Sequence, residues 1–184
     1  TAISWLAELI HHPFSGGDAL LPYHAEILGA IMRCISDGEV EIRQVAERTN
    51  SDFLVLVKDT KEGFELSPLL DTLAAALAKD DVPTKMAALR WINMLLEKRP
   101  NDMNDFLSDL LHVLLRTLSD ESDDVVLLNL QVLSRISLAR DANDVTTSER
   151  EFEPRDSSKS DAGKKGKGAT KVQPDTTPMP PPPQ

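Results

Sequence analysis

The sequence is poor in aromatic residues and in net positive charge. Aromatic side chains make up 4% of the 184 residues, and leucine dominates the apolar set. This composition favours helices over a β-sandwich, because strands prefer aromatic and β-branched residues. The formal net charge is −10. Nucleic-acid binding needs lysine and arginine to neutralise phosphates, so the charge balance argues against a nucleic-acid partner.

Cysteine and long apolar runs are also scarce. Cys34 is the single cysteine, so an internal disulfide is excluded, and the simplest interpretation is a buried thiol in a reducing compartment. The apolar runs are all much shorter than the roughly 18 residues that a membrane-spanning helix needs. The N-terminus shows no signal-peptide pattern. These features predict a cytoplasmic location.

Motifs for catalysis and for metal or cofactor binding are missing as well. The four histidines and Cys34 show no Cys-x-x-Cys or His-x-x-x-His spacing, which argues against zinc. The sequence contains neither a glycine-rich phosphate loop nor a Gly-x-Ser-x-Gly motif. The acidic runs at 80–81 and 120–124 lack the alternating pattern of a calcium loop. We therefore expect no metal, no cofactor and no enzymatic activity.

An internal repeat is the strongest signal that the sequence contains. Shifting the chain by about 42 residues, and then by about 41 more, aligns apolar residues that recur three and four positions apart. This spacing is that of one face of a helix. The aligned sets are Ile27, Leu69 and Leu110; Leu28, Leu70 and Leu111; Ile31, Leu73 and Leu114; and Ile35, Leu77 and Leu118.

The same two shifts align a second helix in each unit, so one register covers two helices. Trp91 falls in this second helix, in register with Thr49 and Val132. For Trp91, and likewise for Trp5, a place in the core is favoured over a role as an exposed interface anchor. The aligned sets are Val45, Ala87 and Leu128; Asn50, Ile92 and Leu133; and Phe53, Leu95 and Ile136.

Proline, glycine and polar residues mark the ends of these helices. Ser67 is predicted to cap a helix that has Pro68 in its first turn, and Pro22 is predicted to have the same part in the first unit. Pro83 is placed to open the second helix of the middle unit, and Pro100 to end it. Gly63 breaks the link between the first two units.

The fold predicted from these patterns is an all-α HEAT-repeat solenoid. Its helix pairs cover about 20–57, 66–99 and 105–140 within a folded segment 1–140. Armadillo repeats are the structural alternative, but each would need a third short helix. Residues 3–10 resemble the end of a second helix from a preceding unit, so we expect further repeats before Thr1.

The sequence changes character near Arg140. Residues 141–184 hold seven of the twelve prolines and a single aromatic residue, Phe152. Such a segment buries too little apolar surface to offset the entropy cost of ordering. We expect 141–184 to be a disordered tail.

The turn inside each helix pair follows the HEAT pattern of an aspartate followed by a hydrophobic–arginine pair. Asp37 with Ile42 and Arg43 fits this pattern. Lys85 takes the arginine position in the second unit, and Val126 takes it in the third. A ladder of ion pairs between units is therefore expected to stop at the third unit.

Second helices typically line the inner face of such a solenoid, which makes that face the candidate partner-binding surface. The main candidates there are Arg48, Arg90 and Arg135. A second candidate is an acidic ridge formed by Asp120, Glu121, Asp123 and Asp124, although such a run is far more often a solvated turn. Other polar residues predicted on the inner face are Gln44, Glu47, Asn93, Glu97, Asn129 and Gln131.

Several strings of residues together resemble one family. They are Ile3-Ser-Trp-Leu with Leu9-Ile10, Leu20-Leu-Pro-Tyr-His with Ile27-Leu28, and the most distinctive, Leu115-Arg-Thr-Leu-Ser-Asp-Glu-Ser-Asp-Asp-Val-Val with Leu130-Gln-Val-Leu. Over about 1–140 the chain is similar to the central part of the Vac-fourteen family. This family is the HEAT-repeat scaffold of the phosphatidylinositol 3-phosphate 5-kinase complex.

The resemblance implies a non-catalytic adaptor with no catalytic residues to assign. Its expected partners are a FYVE-type phosphatidylinositol 3-phosphate 5-kinase and an opposing Sac-domain phosphoinositide phosphatase, with self-association as a further possibility. Such a complex regulates phosphatidylinositol 3,5-bisphosphate, and it would bring the chain to endosomal and vacuolar membranes only indirectly. The repeat by itself is equally compatible with an adaptor of another complex, such as a phosphatase scaffold or a transport receptor.

Overall fold

The computed structural model describes residues 1–12, 17–60 and 64–150, and these residues form helices joined by short turns. No strand occurs among them. A 3₁₀ turn, Gly17–Tyr23, precedes α2, and another, Asn104–Phe106, precedes α7. The helices are α1 (Ala2–His11), α2 (His24–Ile35), α3 (Val40–Asp59), α4 (Leu66–Leu77), α5 (Val82–Lys98), the short α6 (Pro100–Met103), α7 (Leu107–Thr117) and α8 (Asp123–Arg150).

The helices form the predicted solenoid of helix pairs. Helices α2 and α3, α4 and α5, and α7 and α8 pack as successive pairs. The first helices α2, α4 and α7 contact one another in order, and so do the second helices α1, α3, α5 and α8. Helix α1 packs mainly against α3, as expected for the second helix of a preceding unit. The all-α HEAT architecture is confirmed.

The repeating apolar positions form a single core. Ile31, Leu73 and Leu114 are fully buried on the first helices, and Phe53 and Leu95 on the second helices. Each helix turns the same stripe inward because its apolar residues recur with the period of the helix. In the third unit, residues from four of the aligned sets are only half-buried, namely Leu111, Leu118, Leu128 and Leu133.

The helix ends match the predicted punctuation only in part. Asp81 caps α5 by accepting a hydrogen bond from the Thr84 backbone N–H at 2.9 Å, and Pro83 lies in its first turn. Helix α4, however, begins at Leu66 with Glu65 in the capping position, so the prediction that Ser67 caps it is wrong. Pro22 lies in the 3₁₀ turn before α2 rather than in its first turn. Gly63 lies outside the described residues.

The last helix extends further than the sequence indicates. Helix α8 continues to Arg150, through residues 141–150 that the apolar pattern assigns to the tail. Few large apolar residues follow Arg140, so the periodic signal ends before the helix does. The rest of the predicted tail, 151–184, lies outside the described residues.

The two tryptophans have opposite environments. Trp91 is fully buried on α5, and its indole Nε1 donates a hydrogen bond to the Asn50 Oδ1 of α3 at 2.8 Å. Trp5 is 78% exposed, so the prediction that it packs in the core is wrong. It lies on the side of α1 away from Ile3 and Ile10, the residues that α1 buries. Cys34 is half-buried rather than fully buried.

A buried histidine lies where the first two units meet. The His24 ring makes edge contacts with Phe53 and Phe64, at centroid distances of 5.4 and 5.0 Å. Neither ring nitrogen has a hydrogen-bond partner within the described part of the chain. Burial, together with the nearby Lys98 ammonium, lowers the pKa of His24 to about 4, so the ring is neutral at physiological pH.

Lys98, at the end of α5, holds the end of α3 in place. Its Nζ donates hydrogen bonds to the carbonyl oxygens of Val57, Lys58 and Thr60. Carbonyl groups at the C-terminal end of a helix generally lack intrahelical donors, and the negative end of the helix dipole favours a cation there. Burial is the main cause that lowers the pKa of Lys98.

Candidate partner-binding surface

Hydrogen bonds and ion pairs join polar side chains of neighbouring second helices. His11 Nε2 of α1 lies 3.0 Å from Asp52 Oδ2 of α3. Glu97 of α5 contacts Lys58 of α3 at 4.0 Å and Arg135 of α8 at 3.6 Å. We call the exposed part of this row the second-helix face. Its exposed members include Gln44, Glu47, Arg48, Arg90, Glu97, Gln131 and Arg135.

The three candidate arginines lie on this face but in different electrostatic settings. Arg48 is 84% exposed and lies 4.0 Å from Asp52 on its own helix. Arg135 pairs with Glu97. Arg90 makes no hydrogen bond or ion pair with any described residue, and it lines a cavity of about 400 Å³ between α3 and α5. Its guanidinium is therefore the most available of the three for a partner.

Two asparagines, Asn93 and Asn129, are not exposed on this face, so the prediction that places them there is wrong. Asn129 is completely buried, and its Nδ2 donates a hydrogen bond to the Leu114 carbonyl oxygen at 2.7 Å. It faces its own first helix because it belongs to the buried stripe of α8, together with Val125, Val132 and Ile136. Asn93 is half-buried, and its Oδ1 lacks a partner within the described residues.

Only three of the four residues of the predicted acidic ridge are exposed. Glu121, Asp123 and Asp124 are exposed. The Asp120 side chain is 7% exposed and accepts a hydrogen bond from Lys85 Nζ at 2.5 Å. Asp120 is therefore part of a bond within the chain and does not contribute to an exposed ridge, because Lys85 compensates its charge.

The Lys85–Asp120 pair links the second unit to the third. Hydrogen bonding to Lys85 lowers the pKa of Asp120, and the same bond raises the pKa of Lys85, so each group favours the charged form of the other. In the first unit Arg43 donates instead to the carbonyl oxygens of its own turn, Asp37 and Gly38. Val126 offers no charge in the third unit, as the sequence indicates.

Sequence reasoning missed the polar bonds that join neighbouring units. Lys85 could be expected to act in a ladder because it occupies the arginine position of the HEAT pattern. By contrast, no pattern in the sequence connects Lys98 with the carbonyls of α3, or Trp91 with Asn50. These contacts depend on how the second helices stack, which apolar periodicity does not specify.

Within the described ranges, no group of three or more histidine, cysteine, aspartate or glutamate residues is arranged to hold a metal ion. No described helix combines the length and the hydropathy that crossing a bilayer requires. The polar features of this part of the chain are ion pairs and hydrogen bonds between helices, an arrangement suited to building and presenting a surface.

Comparison with known families supports the architecture and the resemblance. A family model described as "Stalled ribosome sensor GCN1-like, HEAT repeats" matches residues 4–148. The chain is 42% identical over 132 residues to the Arabidopsis thaliana "Protein VAC14 homolog", which covers 72% of this chain. No solved structure matches the chain significantly.

Two fungal relatives give the same result at lower identity. The chain is 24% identical over 132 residues to "Vacuole morphology and inheritance protein 14" of Saccharomyces cerevisiae, and 26% over 153 residues to the Schizosaccharomyces pombe "Protein VAC14 homolog". These matches cover 69% and 75% of this chain. The chain spans only 17%, 15% and 18% of the length of the three relatives. The chain belongs to the HEAT-repeat proteins and, among them, to the Vac-fourteen (VAC14) family.

Proposed function

We propose that this chain is a non-catalytic scaffold segment that binds a phosphoinositide kinase and its opposing phosphatase. The partners are a FYVE-type phosphatidylinositol 3-phosphate 5-kinase and a Sac-domain phosphatase. Holding both enzymes together regulates phosphatidylinositol 3,5-bisphosphate on endosomal and vacuolar membranes. Membership of the VAC14 family supports this proposal, and a fungal relative is named for vacuole morphology and inheritance.

The observation that carries the proposal is the second-helix face. Four second helices contribute polar side chains to this face, and hydrogen bonds and ion pairs join these side chains between neighbouring units. A surface prepared in this way loses little side-chain entropy when a partner binds. Within the described part of the chain Arg90 forms no hydrogen bond or ion pair, so its guanidinium can bind a carboxylate of the partner.

The test neutralises the three arginines of this face. Reversing their charge would place glutamates beside Asp52 and Glu97 and destabilise the fold, so Arg48→Gln, Arg90→Gln and Arg135→Gln are the suitable changes. Each desolvated ion pair that is lost costs on the order of 2–5 kcal/mol of binding energy. We expect the triple variant to melt like the wild type and to retain the kinase or the phosphatase at least tenfold more weakly.

A matched control removes three bases from the first helices and the turn after α4, Arg33→Gln, Lys79→Gln and Arg116→Gln. Both variants are immobilised as the full chain and exposed to the purified kinase and phosphatase. The second-helix face is contradicted if the folded test variant retains both enzymes as strongly as the wild type. Failure of the wild-type chain to bind either enzyme would contradict the proposed function itself.

A further inference from the structure

A groove runs between the first helices α2 and α4, on the opposite side of the helix pairs from the second-helix face. It is an open groove with a volume of about 570 Å³. Its floor is formed by small and apolar side chains, among them Ala25, Met32 and Ala75. The two helices are neighbours here, since a Cβ added at Gly29 of α2 would be in ordinary van der Waals contact with Thr72 Cγ2 of α4, at 3.7 Å.

Four charged side chains line this groove, and within the described part of the chain none of them forms an ion pair or a side-chain hydrogen bond. They are Glu26 and Arg33 of α2, Asp71 of α4 and Lys79 just after α4. The chain reverses between α2 and α3 and again between α3 and α4, so α2 and α4 run in the same direction. The acids Glu26 and Asp71 therefore lie toward one end of the groove, and the bases Arg33 and Lys79 toward the other.

The distance between these two ends fits two turns of a helix. The acid and the base are seven residues apart on α2, and on the α4 side the separation is eight residues. At 1.5 Å per residue, this corresponds to about 10–12 Å. A partner helix with a base and an acid seven positions apart presents them at the same distance on one of its faces.

We propose that the α2–α4 groove docks an amphipathic helix of a partner protein, one that carries a basic and an acidic residue two turns apart beside a small apolar stripe. The base of the partner helix meets Glu26 and Asp71, and its acid meets Arg33 and Lys79. The apolar stripe packs on the alanines, as in other helix-in-groove interactions. This site is independent of the second-helix face and of the enzymes proposed to bind there.

The negative net charge of the chain allows specific docking in the groove to be distinguished from non-specific attraction. A protein with a formal charge of −10 attracts any cationic peptide through its general field. Non-specific attraction therefore favours a peptide with two lysines over one with a lysine and a glutamate. The groove favours the mixed peptide, because only that peptide complements both of its ends.

The probes are four fluorescent 18-residue helical peptides with the same alanine–leucine stripe. At two positions seven residues apart they carry Lys and Glu, Lys and Lys, Glu and Glu, or Gln and Gln. Anisotropy titration with the full chain is expected to give the tightest Kd for the mixed peptide, at least tenfold below that of the other three. Equal binding of the mixed peptide and the two-lysine peptide would overturn the proposal.

Two variants of the chain complete the test. Arg33→Glu with Lys79→Glu makes both ends of the groove acidic, and it should move the preference from the mixed peptide to the two-lysine peptide. Ala75→Trp fills the groove from an exposed position and should weaken the mixed peptide at least tenfold, whereas Ala78→Trp, which is exposed outside the groove, should leave binding unchanged.

Thermal melts followed by circular dichroism check that each variant remains folded. An unchanged preference in the double variant would contradict the proposal, even if Ala75→Trp weakened binding through damage to the fold. Concentration-dependent self-association that Ala75→Trp abolishes would assign the groove to a second copy of the chain and would also overturn the proposal.

Discussion

The second and third helix pairs share one sequence register but differ sharply in burial. Leu89 of α5 and Leu130 of α8 are equivalent positions, yet Leu89 is fully buried and Leu130 is 48% exposed. Helix α5 has second helices on both sides, α3 and α8, whereas among the described helices α8 has a second-helix neighbour only at α5. In a repeat array, therefore, the neighbouring helices determine whether a side chain is buried, even where the residue type is the same.

The first helices of the second and third pairs also differ in burial, but less strongly. Leu77 of α4 is 4% exposed, while its equivalent Leu118 after α7 is half-buried. Several leucines of the third unit lie at the surface, namely Leu115, Leu127, Leu130 and Leu138. The stability of the described segment should therefore be concentrated in the second pair, and the following predictions test that.

The largest effect is expected at Trp91, the centre of the second pair. Trp91→Ala removes a fully buried ring that lies 5.5 Å from the Phe53 ring. A cavity of this kind typically costs 3–5 kcal/mol, so we expect about 4 kcal/mol of lost unfolding free energy. Urea denaturation followed by circular dichroism at 222 nm measures it.

Trp91→Phe is the matched control, because it keeps an aromatic ring but removes the hydrogen bond to Asn50 Oδ1. Asn50 is 6% exposed, so its unpaired amide oxygen should cost about 1–3 kcal/mol. A loss below about 1 kcal/mol in Trp91→Ala would show that the second pair is not the stable part of the array.

A pH-dependent loss of stability is expected from His24. Its pKa is lowered to about 4 in the fold, against about 6.5 in an unfolded chain. Between these values the unfolded state binds the additional proton, so the contribution of His24 is fully present above pH 6.5 and is lost as the pH falls toward 4. The shift corresponds to roughly 3 kcal/mol over this range.

His24→Phe supplies the reference, because phenylalanine retains contacts with Phe53 and Phe64 but does not titrate. Unfolding free energies are measured for both proteins at pH 7.0, 5.5 and 4.5. The difference between the two proteins removes the contribution of the carboxylates they share. If that difference stays constant over the three pH values, the folded protein does not keep His24 neutral.

A smaller effect is expected at the bond between the second and third units. In a double-mutant cycle with Lys85→Met and Asp120→Asn, hydrogen bonds of charged groups predict a coupling of about 2 kcal/mol. The exposed pair of Arg48 and Asp52, cycled with Arg48→Gln and Asp52→Asn, should show less than about 0.5 kcal/mol. Equal couplings in the two cycles would mean that Lys85–Asp120 is no stronger than a surface pair.

Sequence periodicity predicted most of the fold because stacked helix pairs repeat the same apolar stripe. It located the buried residues Leu73, Leu95 and Ile136 and the helix start at Pro83. It misplaced Trp5, since an apolar residue type does not reveal whether a neighbouring helix covers it. It also ended α8 too early, because a helix can continue where its apolar stripe does not.

The candidate surface was predictable in outline but not in its contacts. The register placed Arg48, Arg90 and Arg135 on one row of helices, and the structure agrees. It could not show that Asp120 is bound to Lys85 or that Asn129 is buried. Both depend on side-chain directions between neighbouring helices, and a one-dimensional repeat does not encode them.

The most direct test of the account is the difference in unfolding free energy between Leu89→Ala and Leu130→Ala. The two substitutions delete the same atoms at equivalent positions of neighbouring units. We predict a loss of about 2–5 kcal/mol for Leu89→Ala, because a fully buried leucine leaves a cavity, and less than about 1 kcal/mol for Leu130→Ala. Equal losses at the two positions would contradict the claim that the neighbours in the array determine the energy of each repeat position.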